Sequence, residues 1–366
     1  MALTDQLSSQ LDRLASFDAG PFPVVSLYLN LQPDQHGRDN FEPFLRNELA
    51  DRVRTYSAQG PERQSLEQDA EKIRGHMQTI DPAANGLALF ACSAADLFEP
   101  IPLAAPVPEH RLYISDQPHL YPLARLLEEY PRYAVVLADT HVARIFVFAA
   151  NQLEAEQDIA GVKTRRHKMG GWSQARYQRH MENYHVHHAK DIAEALARIV
   201  RDERIGTILI SGDDGIVPLL KEHLPKDVAE CVVDTLKMDT RAPQGEVLEA
   251  SLAVMREQAA ATDRERVDAL FDSYRAGGLA SVGVENTLKA FELGQVDELL
   301  ITGSPDSLDL PAAPEAGSAA EPSAEERAAD TLVVQARRTS AKVRFIQEPG
   351  LLAAVGGAGA FLRFKL

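Results

Sequence analysis

The stretch YAVVLADTHVARIFVF (residues 133–148) restricts the fold more than any other part of the chain. Two apolar runs of strand composition flank the polar turn Asp139-Thr140-His141, which predicts a hairpin. A long helical pattern ending near Arg204 follows, then the buried-strand run IGTILISGDD (205–214), the helix GIVPLLKEHL and the strand AECVVDTL. Hairpin, helix, strand, helix and strand in that order predict a layered α/β domain.

At 366 residues the chain exceeds one compact core, since domains run to roughly 100–200 residues, and two or three domains are expected. Leu3, Leu7, Leu11 and Leu14 recur at the spacing of an amphipathic opening helix. FPVVSLYLNL (22–31), GLALFACS and HRLYISD read as strands, around polar helices near 39–58 and 61–79. Pro-rich EPIPLAAPVPEH (99–110) reads as an extended connection. Beyond about 245, long helical stretches lead to a helix carrying Val284, Leu288 and Phe291, then the strand VDELLITG. The helix ERAADTLVVQARRTS, the strand KVRFIQ and the terminal AAVGGAGAFLRFKL close the pattern. Residues 304–330, rich in Pro, Ala, Ser and acid, are expected to form a disordered or loosely held insertion. The fold class is therefore multidomain α/β, in segments 1–130, 131–243 and 244–366.

Composition excludes several functional classes. A net charge of −16 argues against a protein that coats nucleic acid without selectivity, because phosphate affinity comes from clustered Lys and Arg. A single basic patch on such a surface would instead restrict a polyanion to one docking mode. Cys92 and Cys231 are too few and too far apart for a disulfide framework, and they suit a reducing cytoplasm. No membrane-spanning run and no secretory signal pattern are evident, so a cytoplasmic protein is expected.

The basic patch exists. Between Lys163 and Met181 there are six Lys or Arg and no Asp or Glu: Lys163, Arg165, Arg166, Lys168, Arg176 and Arg179. Gly170 and Gly171 lie just before a predicted helix, where adjacent glycines let the backbone approach a partner closely. Ser173 suits an N-cap, and Gln174 falls in the first turn, where free amides favour anionic oxygens. The bland alternative is a plain turn with Gln174 as filler. Along the helix, Tyr177, Met181, Tyr184, His188, Ile192, Leu196 and Ile199 form a core stripe. Arg176, Arg179, His180, Asn183, His187 and Lys190 form a second row of donors suited to phosphate or ribose oxygens. Trp172, the only tryptophan, is a base-stacking candidate or a core anchor.

Other chemistry is thinly represented. HVHHAKD (185–191) places His185 and His188 on adjacent turns, but His187 points elsewhere and no convergent ligand set completes a site, so no metal is expected. SGDDG (211–215) lacks the Gly-Lys-Ser/Thr of a phosphate loop, and turn formation accounts for it. A small-molecule enzyme built on it is the competing class.

KMGGWSQARYQRH resembles the Gly-Gly-Gln loop and following basic helix of class-1 peptide release factors of the archaeal and eukaryotic type. It is closer to their Pelota-related bacterial members, in which a Gly-Gly-Trp-Ser-Gln form occurs. The 133–148 hairpin is similar to the strand pair opening that family's RNase H-like middle domain. GVENTLKAFELGQVDELLITG and GGAGAFLRFKL resemble its third domain, of the kink-turn-binding ribosomal protein type. The resemblance implies a factor that enters the ribosomal A site and presents this loop to the peptidyl transferase centre. Gly170 and Gly171 would permit close approach to the tRNA CCA end. Gln174 would position the water that attacks the peptidyl-tRNA ester, its backbone N–H holding the oxyanion. The basic residues, with Trp172, would grip RNA, and no cofactor is needed. Trp172 and Ser173 separate the glycines from Gln174, so cleavage at the CCA end and a non-catalytic hibernation role stay open, as does delivery by an elongation-factor-like GTPase. Residues 1–130 lack an Asn-Ile-Lys-Ser-type motif, which points to stalled or idle ribosomes rather than stop codons.

Overall fold

The computed structural model describes residues 3–33, 41–160, 174–310 and 322–365. It divides into two compact units, named here by their place in the sequence. The middle unit is Tyr130–Ala259, and the terminal unit combines Asp5–Glu129 with Ala260–Leu366.

The terminal unit opens with α1 (Leu3–Ala15), β1 (Val24–Asn30), α2 (Phe41–Arg54), α3 (Pro61–Met77), β2 (Gly86–Cys92), β3 (Leu97–Leu103), β4 (Arg111–Ser115) and α4 (Tyr121–Glu129). Its first sheet has the order β3-β2-β1-β4, antiparallel throughout. Alternate strand residues Leu27, Leu29, Leu87 and Leu89 pack on Leu45 and Leu49 of α2 and Leu66 and Ile73 of α3. The Pro-rich stretch read as a connection is in part β3, with Pro100 opposite Leu89 and Pro102 opposite Leu87. Proline lacks the ladder donor, and β3 tolerates two because it is an edge strand.

The middle unit contains β5 (Tyr133–Ala138), β6 (Val142–Ala149), β7 (Gln152–Ala160), α5 (Gln174–Asp202), β8 (Ile208–Gly212), α6 (Val217–His223), α7 (Lys226–Ala229), β9 (Val232–Leu236) and the start of α8 (Gln244–Arg275). The sheet order is β7-β6-β5-β8-β9. An antiparallel meander of β5, β6 and β7 joins the parallel strands β8 and β9, the layered α/β domain expected from the element order and the RNase H-like arrangement that the resemblance implied. Ala134, Val136, Ile145, Ile208 and Ile210 pack on Ile192, Leu196 and Val200 of α5 and Leu220 of α6. Among the described residues of this sheet, β7 is the strand that periodicity missed, because its alternate residues Glu154, Glu156 and Asp158 are acidic. Arg132 pairs with Glu154 at 2.8 Å and Arg144 with Glu156 at 2.7 Å, which neutralises that face.

The chain then returns to the terminal unit with β10 (Ala280–Val282), α9 (Val284–Glu292), β11 (Val296–Thr302), α10 (Ala324–Arg338), β12 (Lys342–Ile346) and β13 (Ala358–Leu362). The second sheet of this unit has the order β10-β13-β11-β12. Only the β11–β12 pair is parallel. Leu300 and Ile346 bury against Val267 and Leu270 of α8. The reading of 304–330 as loosely held is corrected at its C-terminal end: residues 324–330 are the first turns of α10. A capping box starts them, in which Ser323 accepts from the Glu326 amide and Glu326 accepts from the Ser323 amide. Leu308 is also buried, and residues 311–321 lie outside the described residues.

Helix α10 binds the two parts of this unit together. The Asp330 carboxylate accepts from the amides of Leu120 and Tyr121 at 2.8 Å each, capping α4 from 209 residues away, and it also pairs with buried His119. The Tyr121 hydroxyl donates to the Thr302 carbonyl at 2.6 Å, and the Tyr113 hydroxyl to Glu326 at 2.8 Å. At the other end of α4, burial pushes the Glu128 carboxyl up to about 7 against the opposing pull of Arg344, with Asp263 and Glu129 adding to the rise.

Candidate nucleic-acid interface

Helix α5 is 29 residues long, about 43 Å at the usual rise per residue. Its helical run begins at Gln174, so the backbone amide of that residue belongs to the first turn, where no carbonyl within the helix is available to it. Lys163, Arg165, Arg166, Lys168, Gly170, Gly171 and Trp172 lie outside the described residues. For Gln174, Arg176, Arg179 and His180 the helical backbone is described and the side chains are not.

From Asn183 onward the two faces expected of the helix separate. Asn183, His187 and Lys190 are exposed, whereas His188, Ala189, Ile192 and Leu196 are buried. The C-terminal half is therefore a long apolar anchor on the sheet, and Asn183, His187 and Lys190 of the other row face water. A groove of about 800 Å³ runs beside the helix, lined by Lys190, Arg198 and Arg201 but equally by Asp158, Asp191 and Glu194. Its mixed charge gives a polyanion no clear advantage there.

His188 is a core histidine. Burial pushes its imidazole below the ordinary value, and the backbone of Val142 with Asp191 and Asp139 works in the other direction. His185 lies 6.1 Å from the Tyr184 ring. Among the described residues no group of three or more His, Cys, Asp or Glu is placed to hold a metal ion.

The turn between β5 and β6 meets α5 beside Tyr184. Asp139 Oδ1 accepts from the amides of His141 at 2.7 Å and Val142 at 2.8 Å. Its Oδ2 accepts from the Thr240 hydroxyl at 3.0 Å. Burial works to raise this carboxyl, but the amides and the hydroxyl outweigh it and hold it below the ordinary carboxylate value. The His141 ring is 6.5 Å from the Tyr184 ring on α5. Sequence reasoning marked this turn as polar but assigned Asp139 nothing. Its signal was an Asp three residues before the next strand, the position from which a carboxylate reaches the amides ahead of it.

SGDDG is accounted for by turn formation. Asp213 Oδ1 accepts from the amides of Gly215 and Ile216, both at 2.9 Å, and the Ser211 hydroxyl bridges to the Met238 backbone. At Gly212 a Cβ would lie 2.5 Å from the Ala138 carbonyl oxygen, so close strand packing requires the glycine.

Comparison with known proteins places this helix and loop in context. Residues 118–256 match the sequence model described as bacterial archaeo-eukaryotic release factor family 10. Peptide chain release factor subunit 1 of Thermococcus onnurineus is 24% identical, across 99% of this chain and 98% of that protein. The chain is thus similar to archaeo-eukaryotic release factors. A second relative, release factor subunit 1 of Thermococcus kodakarensis, is 23% identical with the same coverage of both chains. Among solved structures, an archaeal translation termination factor is 16% identical with a TM-score of 0.28, covering 99% of this chain and 98% of that one. The family match spans the RNase H-like sheet and α5, the elements on which the basic segment is mounted.

Proposed function

We propose that this release-factor relative acts on ribosomes that are stalled or idle, independently of stop-codon reading, and hydrolyses the peptidyl-tRNA ester. The observation that carries the reading is the start of α5 at Gln174, directly after Gly170-Gly171-Trp172-Ser173, on a helix with one buried and one donor-bearing face. In this reading the segments 1–130, 131–243 and 244–366 are separate functional modules in the cytoplasm, with the middle one directed at the peptidyl transferase centre through the A site. An elongation-factor-like GTPase is a candidate delivery partner.

The chemistry asks little of the protein. Water attacks the ester carbonyl, the tetrahedral oxyanion forms, and the C–O bond to the tRNA ribose breaks as that oxygen takes up a proton. The first-turn amide of α5 at Gln174 can stabilise the oxyanion, because it is an orphan donor at the positive end of the helix. The glutamine side chain orients the water without titrating. Gly170 and Gly171 leave room for the CCA end, while Lys163, Arg165, Arg166, Lys168, Arg176, Arg179, His180, Asn183, His187 and Lys190 hold phosphate and ribose oxygens. Trp172 stacks on a base.

The spacing Gly-Gly-Trp-Ser-Gln favours a second reading, a hibernation factor that occupies the A site without chemistry. Purified protein incubated with ribosomes carrying labelled peptidyl-tRNA separates the two. Peptide release that is lost in Gln174→Ala is the expected result. A shortened tRNA 3′ end would instead indicate CCA cleavage. Salt-sensitive ribosome binding with neither product would establish the hibernation role and overturn the hydrolase.

A further inference from the structure

Two rings meet where the β5–β6 turn reaches α5, and neither belongs to the buried core. His141 is exposed, and Tyr184, expected on the core stripe, is only half-buried. Both lie in the middle unit. Their centroids are 6.5 Å apart and their planes are inclined at 46°. That inclination is neither the offset stack nor the T-shaped pair that aromatic rings prefer. The separation is instead close to twice the roughly 3.4 Å repeat of stacked bases, the gap that one flat base needs between two rings.

The elements that carry both rings are held before a ligand arrives. The Asp139 amide closes the turn by donating to the Val142 carbonyl at 2.9 Å. The Asp139 carboxylate gathers the His141 and Val142 amides on one oxygen and the Thr240 hydroxyl on the other. On α5, His185 lies edge-on to the Tyr184 ring, at 6.1 Å and 68°, an arrangement that favours one orientation of that ring. Four residues beyond Tyr184, His188 is buried, so the helix is seated on the sheet at this level. A ligand entering between the rings therefore has little left to order.

The surrounding charges select the kind of ligand. Burial, with the Asp191 carboxylate two turns along α5, pushes the Tyr184 hydroxyl above its ordinary value, so it stays a donor. The neighbouring groove sets Lys190 and Arg198 against Asp191 and Glu194. A phosphate gains little beside these acids, whereas an uncharged base can enter. Its own phosphates are then left to exposed Asn183, next to Tyr184, and to exposed His187, one turn along the helix. We propose that His141 and Tyr184 form a clasp for one unpaired base of single-stranded RNA. The base stacks between imidazole and phenol ring after a small rotation of the exposed imidazole. Every base has a π-face, so the clasp grips without reading sequence. The proposal rests on the ribosome-binding reading for the source of the RNA but not for the chemistry of the clasp.

The test titrates the full-length protein into an unstructured RNA of about ten nucleotides with 2-aminopurine at its centre. The expected result is quenched 2-aminopurine emission with the wild type, and also with His141→Phe and Tyr184→Phe, which keep a ring. His141→Ala and Tyr184→Ala should each bind at least about fivefold more weakly and recover most of the emission. No quenching by the wild type, or equal quenching and affinity in the alanine variants, overturns the clasp. So does a loss in the phenylalanine variants as large as in the alanine ones, because a ring alone should suffice. In ribosome sedimentation, Tyr184→Ala should weaken binding without changing its salt slope, since stacking releases no counterion. A reduced slope would mean that a phosphate contact was lost instead, which also overturns the clasp. If the RNA is quenched as expected while the wild type fails to bind ribosomes, the ribosomal reading fails and the clasp stands. Ribosome binding without quenching leaves that reading intact and removes the clasp.

Discussion

Helices α4 and α5 precede and follow the same three-stranded meander in the sequence, and they are held in opposite ways. Helix α4 has nine residues, too few for an isolated helix in water, and it is fixed at its ends. Asp330 caps its first amides, and Glu128 in its last turn is half-buried near Arg344. Helix α5 has 29 residues and is fixed along one face of its C-terminal half by Ile192, Leu196 and Val200. The short helix α4, with Tyr121, Leu123 and Ala124 also buried, takes its ends from distant residues, whereas the C-terminal half of α5 takes its place from its own apolar stripe.

The contrast yields predictions of decreasing size. Leu196→Ala, at a fully buried position in the α5 anchor, should lower the stability of the middle unit by about 2–5 kcal/mol, followed by chemical denaturation. A much smaller loss would mean that the anchor is not what holds the helix. Asp330→Ala should cost about 2 kcal/mol, because it removes the α4 cap and the partner of buried His119. Amide exchange of Leu120 and Tyr121 should rise with it, and unchanged protection would remove the distinction between the two helices.

The third prediction concerns pH. Glu128, held up to about 7 from an ordinary value of 4.5, keeps a proton in the folded state that the unfolded chain has released. Its contribution is thus fully present below about 4.5 and is lost as pH rises through about 7. Denaturation midpoints of the wild type should fall over that window relative to those of Glu128→Gln. Parallel pH profiles would show that this end of α4 is not the buried contact described. The smallest effect on folding is expected for Asn183→Ala and His187→Ala on the exposed row of α5, within about 0.5 kcal/mol by thermal melting. Both should nevertheless weaken ribosome binding in sedimentation at low salt. Undiminished binding would detach this row from RNA.

What the sequence disclosed follows the same division between local and distant causes. The α5 stripe was legible because Ile192, Leu196 and their neighbours recur at helical period, and β1, β2, β5, β6 and β8 were legible as apolar runs. Strand β3 was not, because Pro100 and Pro102 forbid a central strand and the sequence does not say which strand is an edge. Strand β7 was hidden by acids whose partners, Arg132 and Arg144, come from β5 and β6 or the residue preceding them. The cap on α4 had no local trace, since its donor segment and Asp330 are far apart in sequence. In the candidate site, the order of glycines, glutamine and donor row was plain from the sequence. The bond from the Thr240 hydroxyl to Asp139 joins positions about a hundred residues apart and could not be seen.

The cap on α4 also imposes an order on synthesis. The amides of Leu120 and Tyr121 have no acceptor from Asp330 until that residue has left the ribosome, roughly 10–40 s after they have at ordinary elongation rates. During that interval the middle unit has all its strands available and can close its own core, while α4 waits with its first turn open to water. A nascent chain arrested after the middle unit has emerged but before residue 330 has should therefore carry a folded RNase H-like sheet and an unfinished α4. This protein, read here as a factor for stalled ribosomes, would itself be left incomplete by a stall late in its own synthesis.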